Sequence, residues 1–118
     1  MDNVLNYTPE EKKLEWQFQE YSFQLPEYVE QLLEIDNSMQ ISVIRARMDL
    51  ILSNQIIPVY VIKDDEYKIL ILVKKNDNSY FLDFYCGIQK TIPKQEELNM
   101  INTWCENKKI NLSNGMRL

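Results

Sequence analysis

The apolar residues of this chain change their spacing once, near residue 55. Before that point they recur every three to four positions. After it, β-branched and aromatic residues come in short runs divided by turn residues. Thr8-Pro9-Glu10-Glu11 reads as a helix start, with Thr8 as cap, Pro9 at the first helical position and Glu11 closing a capping box. A first helix is predicted from there, with Leu14, Phe18, Tyr21 and Leu25 as its buried stripe. Trp16 and Phe23, seven residues apart, fall on a second face of the same helix. Pro26 interrupts, and a second helix is predicted to about Ile35, burying Val29, Leu32 and Leu33. Asp36-Asn37-Ser38 breaks it and caps a third helix, whose stripe Ile41, Ile44, Met48 and Ile51 ends near Asn54.

The later runs predict strands over Ile56–Ile62, Tyr67–Lys74 and Ser79–Cys86. Asp64-Asp65 and Asn76-Asp77-Asn78 supply the turns, and loops this short imply an antiparallel meander. Pro93 opens a last helix carrying Leu98, Ile101, Trp104 and Cys105. Ile110-Asn111-Leu112 suits a short edge strand, and Ser113–Leu118 a frayed tail. The expected fold is one α+β domain over 1–118, in the order α-α-α-β-β-β-α with an optional final strand. It divides into an acidic helical arm (1–36), an αβββα core (37–112) and a tail (113–118). The middle strand is apolar on both faces, Ile69, Ile71 and Val73 on one and Leu70 and Leu72 on the other, so both must be covered. Helices three and four are expected on one face, and the N-terminal helices or a second subunit on the other.

Charge sharpens this picture. Met1 to Asp36 holds nine carboxylates against two lysines, net −7, while the rest of the chain is net +2. The whole chain carries −5, and its three arginines are too sparse for a phosphate-tracking groove. Glu27, Glu30 and Glu34 step by three and four and share a helix face. Glu11, Glu15 and Glu20 run along the preceding helix. Like charges at these spacings destabilise a helix by a few tenths of a kcal/mol per pair. A basic partner would relieve that repulsion and be steered towards it.

Catalytic chemistry is thinly supplied. The chain has no histidine, its two glycines stand far apart, and its two cysteines form no metal-ligand spacing. No cofactor is expected. Cys86 and Cys105 read as buried, reduced thiols. The element order resembles the core of the PD-(D/E)xK nucleases, in which an acid on one strand and an acid-x-lysine on the next hold a metal and activate water. That resemblance would give roles to Glu66, Lys68 and Asp83. The triplet lies on the middle strand and Asp83 on the following one, the reverse of the order required. Solvated strand-end charges are the simpler reading. The portion from Met39 to Lys109 also has the element order of a double-stranded RNA-binding domain. Lys94 is followed there by Glu96 and Glu97, which would repel phosphate.

No charged-then-apolar leader and no apolar run near eighteen residues is present, so a soluble, cytoplasmic protein is expected. Heavy use of Ile, Lys and Asn with a single Ala suggests a low-GC bacterium or its phage. The expected function is non-enzymatic: a small acidic inhibitor, immunity-type or anti-defence protein covering a basic site on another protein, in part by nucleic-acid mimicry. Glu11, Glu15, Trp16, Glu20, Glu27, Glu30 and Glu34 are the candidate contact residues. Direct nucleic-acid and membrane binding are not expected. A homodimer or an adaptor subunit is the structural alternative.

Overall fold

The computed structural model describes residues 3–112. The predicted tail lies outside them. The elements are α1 (Pro9–Lys12), β1 (Trp16–Phe18), β2 (Tyr21–Gln24), α2 (Val29–Met39), α3 (Val43–Ala46), α4 (Met48–Leu52), β3 (Ile56–Lys63), β4 (Glu66–Asn76), β5 (Ser79–Cys86), α5 (Gln95–Lys108) and β6 (Ile110–Leu112), with a 3-10 turn at Ile88–Lys90. All six strands form one sheet in chain order, β1 through β6. The first five make an antiparallel meander, and β6 returns parallel to β5 through α5. Bulges at Lys68 and Asp83, each left without a register partner, curl the sheet into a half-barrel.

This corrects the expected three-stranded meander preceded by long helices. The capping box at Thr8 is present, but α1 lasts four residues. The stretch read as the rest of helix one is a β-hairpin. Trp16, Phe18, Tyr21, Phe23 and Leu25 alternate with polar residues on either side of the two-residue Gln19-Glu20 turn, a period of two that a helical stripe also fits by coincidence. Gln19 has φ 53°, the left-handed conformation such a turn demands. Trp16 and Phe23 do meet, across the hairpin: they are register partners, with ring centroids 5.4 Å apart, edge to face. The acidic N-terminal third is therefore no helical arm, because its hairpin extends the sheet.

The second and third helices also differ from expectation. Asp36, Asn37 and Ser38 lie inside α2, which ends at Met39 with Gln40 in the left-handed cap. Asp36 does not break the helix because its buried carboxylate has other partners. It accepts the backbone N–H groups of Ile44 and Arg45, each at 3.2 Å, and pairs with Arg45 Nε at 3.4 Å. The long third helix is two short ones meeting at Arg47.

Strands β3 to β5 and the last helix fall where the sequence places them, and β6 is the predicted edge strand. Two cores lie on either side of the sheet. Ile69, Ile71 and Val73 pack with Phe23, Val59, Ile101 and the fully buried Trp104 of α5. Leu70 and Leu72 pack with Leu32, Ile35, Met39 and Ile44 of the α2–α4 layer. One chain thus covers both faces of the middle strand, and the two helices expected together on one face lie on opposite ones, α3 and α4 with α2 on one and α5 with the first hairpin on the other.

The segment before α1 acts as a strap. Val4 forms an antiparallel bridge with Tyr28, Leu5 N–H donates to Glu27 O at 2.8 Å, and Val29 N–H donates to Asn3 O at 2.9 Å. Beyond α1, Leu14 O accepts the buried indole N–H of Trp104 at 2.8 Å. No helix among the described residues is long and apolar enough to cross a membrane.

Candidate binding surface

The N-terminal end of α2 and the strap beside it build one surface. Tyr28 is the N-cap of α2, in extended conformation, and its ring stays 50% exposed. Its bridge partner Val4 is 47% exposed. Two large apolar side chains therefore stand in water at one place, held by backbone pairing. Beside them runs a groove of about 460 Å³, bordered by Tyr7, Lys12, Glu15, Glu27 and Tyr60 among others.

The polar floor of this groove is ordered. Tyr60 OH donates to Gln24 Oε1 at 3.0 Å and accepts from Gln31 Nε2 at 2.9 Å, while Gln31 Oε1 accepts the Glu27 N–H at 2.9 Å. Tyr7 OH donates to Pro26 O at 2.8 Å. Burial raises the Tyr60 pKa, and the charges of Glu15, Glu27 and Glu34 raise it further against the Gln31 bond. Burial also lifts the Tyr7 hydroxyl, helped by Glu11 and Glu15. Both phenols stay protonated as donors at neutral pH.

The predicted contact residues separate by role. Glu15, Glu20, Glu27, Glu30 and Glu34 are exposed. Glu15 accepts the Leu25 N–H at 3.3 Å across the start of the hairpin, and Glu20 sits at the hairpin turn. Glu30 accepts from Asn3 Nδ2 at 3.0 Å, a bond that lowers its pKa, and Glu34 accepts from the Tyr67 hydroxyl. Tyr67, raised to about 12 by burial and then by Glu34, is a donor there. Glu11 is different, being 1% exposed. It accepts from Thr8 N–H at 2.9 Å, from Asn54 Nδ2 at 3.3 Å and from the Lys75 ammonium. Burial pushes its carboxyl up, and these three donors outweigh that and hold it below the usual carboxylate range. Glu11 is a latch between the strap and β4, with no face left for a partner. Trp16 is half-buried, its ring stacked on Phe18 at 5.2 Å.

The residues of the nuclease resemblance are not brought together. Glu66 and Lys68 pair with each other at 2.9 Å at the start of β4. Asp83 pairs with Arg47 at 3.1 Å, opposite Leu72 and Val73. Four to five residues of β4 separate Lys68 from that point, roughly 15 Å at strand rise. Among the described residues no group of three or more Cys, Asp and Glu side chains is placed to hold a metal ion.

Sequence reasoning did not bring Val4 and Tyr28 together on one surface. A helix stripe does not extend to the residue that caps it, and Val4 meets Tyr28 through a bridge spanning twenty-four positions. The one local signal was Pro26-Glu27-Tyr28, an aromatic placed just outside a helix start. Compared with protein-family models, with curated proteins and with solved structures, the chain matches none.

Proposed function

We propose that this protein catalyses nothing and binds another protein, covering a basic site on its target as a small acidic inhibitor or immunity-type protein does. One observation carries the reading. Exposed Val4 and Tyr28 stand together beside a groove bordered by Glu15, Glu27 and Lys12, with exposed Glu30 and Glu34 following on α2. An apolar centre with a charged rim is the composition of a protein-binding hot spot. The carboxylates supply steering and sign selection, and the aromatic supplies desolvated area. A bare phosphate mimic would need only the acids. The Tyr28–Val4 pair favours a target whose basic cleft has an apolar floor.

The test is a pull-down with the intact protein beside Glu27→Lys/Glu30→Lys/Glu34→Lys and Tyr28→Ala. The wild type is expected to retain a basic protein that elutes as salt rises. The triple variant should lose it while keeping wild-type circular dichroism, and Tyr28→Ala should weaken it about tenfold or more. Equal retention by the triple variant would refute the acidic-surface reading.

A further inference from the structure

At the other end of α2 a second exposed apolar feature stands on a rigid loop. Residues 87–94 connect β5 to α5. Ile92 is 82% exposed and Ile88 44%, the former more than any other large apolar side chain among the described residues. Lys90 and Lys94 flank Ile92. The loop is tightly built. Gly87 N–H donates to Thr91 O at 2.7 Å, Thr91 Oγ1 donates to Ile88 O at 2.7 Å, and Gln89 Nε2 donates to Gln40 Oε1 at the end of α2 at 2.8 Å. A Cβ on Gly87 would sit 2.8 Å from Thr91 Oγ1. Gln89 and Lys90 have φ of 56° and 62°, two successive non-glycine residues in the left-handed region. Strain of this kind persists where the surroundings over-determine it, and it gathers at sites of recognition. Here it fixes a basic-flanked isoleucine in water, pre-organised for contact.

The occupant this knob fits is on the same molecule's opposite end. The Val4–Tyr28 surface is grooved and exposes two apolar side chains, with Glu15 and Glu27 against one lysine, Lys12, on its border and Glu30 beside it, the complement in sign of an isoleucine flanked by lysines. An anionic lipid surface fits less well, because Asp64, Asp65 and the exposed Glu66 lie at the same end of the sheet, beyond Lys68, whose carbonyl is close to Gly87. Knob and groove are separated by the eleven residues of α2, about 16 Å of helix. They lie at opposite ends of α2, so their meeting needs a second copy, and two antiparallel copies could close by exchanging the same contact. We propose that the Ile88–Lys94 loop of one copy docks on the Val4–Tyr28 surface of a second, giving self-association that competes with the target. The groove in this proposal is the surface assigned to target binding above, and the loop is not part of that reading.

Sedimentation velocity on the intact protein tests it. Wild type should associate as concentration rises. Ile92→Asp and Lys90→Glu/Lys94→Glu, which keep the groove and lose the knob, should stay monomeric. Glu27→Lys/Glu30→Lys, which keeps the knob, should also stay monomeric. An equimolar mixture of Ile92→Asp with Glu27→Lys/Glu30→Lys should restore a one-to-one complex, about tenfold or more tighter than either variant with itself. Circular dichroism confirms that each is folded, and the lysine pair is the second variant should Ile92→Asp not be. A wild type that is monomeric to millimolar concentration, or a mixture that forms no complex, overturns the proposal. So does binding of monomeric wild type to phosphatidylserine vesicles that Ile92→Asp abolishes, which would assign the loop to a bilayer. Ile92→Asp should still capture the basic target, so loss of assembly and loss of target binding are read separately.

Discussion

At the scale of single residues, the chain's acids divide into structural and available ones. Among the described residues Glu11, Asp36 and Glu97 are the buried carboxylates, and each accepts from backbone N–H groups. Glu97 caps α5 through Lys94 N–H at 3.0 Å and accepts from Tyr21 OH at 3.2 Å, tying the hairpin to the last helix. In Glu11→Gln the charge is lost and one of the two oxygens becomes an NH2 donor, so either Thr8 N–H or the Lys75–Asn54 pair loses its acceptor. Glu11→Gln should therefore cost about 2–3 kcal/mol in urea unfolding at neutral pH. Its folded pKa lies below the unfolded value, so this stabilisation is present above the ordinary carboxylate pKa and is lost as pH falls through the folded one. Wild type and Glu11→Gln should converge in stability in that acid range. A constant gap down to strong acid would show that the loss is one of packing and not of charge. The thiols make a second prediction. Burial pushes Cys86 up to about 11 and Cys105 up to about 12. Neither should react with a disulfide reagent at pH 8 in the folded protein, and both should react at once in guanidinium.

At the scale of elements, turn chemistry controls which strands form. Asp64 and Asp65 both adopt positive φ, at 54° and 60°, in the two-residue turn between β3 and β4. Asp65→Gly should raise stability by about 0.5–1 kcal/mol, because glycine takes that conformation without steric cost. The shift would appear as a higher urea midpoint with an unchanged slope. Strands β3 to β5 were legible because their runs are dense in branched and aromatic residues and their turns carry Asp and Asn. The first hairpin was not, because Gln19-Glu20 carries no turn signal and Leu14, Phe18, Tyr21 and Leu25 satisfy a helical period as well as a strand's. The end of α2 was hidden for another reason. Asp36-Asn37-Ser38 is a breaker sequence locally, and only the contact with α3 makes Asp36 a buried anchor. Of the binding surface, the acids were legible from charge alone. Val4 and Tyr28 became visible only once the bridge placed them side by side.

At the scale of the whole molecule, the charge is polar along α2. The acidic end carries Glu27 and Glu30, and at the opposite end Gln40 is bonded to Gln89 of the loop that carries Lys90 and Lys94. The sheet between them is closed on both faces, so the ends and edges are what remain for contact. Phe23 is central to that closure, 1% exposed and 5.0 Å from the Trp104 ring. Phe23→Ala should destabilise by roughly 3–5 kcal/mol and red-shift the tryptophan emission. A loss under about 1 kcal/mol would mean that the hairpin is dispensable to the core.

The hydrogen bond from Trp104 to Leu14 joins residues ninety positions apart. Leu14, just after α1, has no partner for this bond until α5 has been synthesised. Glu11 waits likewise for Lys75, whereas the Val4–Tyr28 bridge needs only the first thirty residues. The pairing before α1 thus depends on an early part of the chain, and the contact after it on a late one.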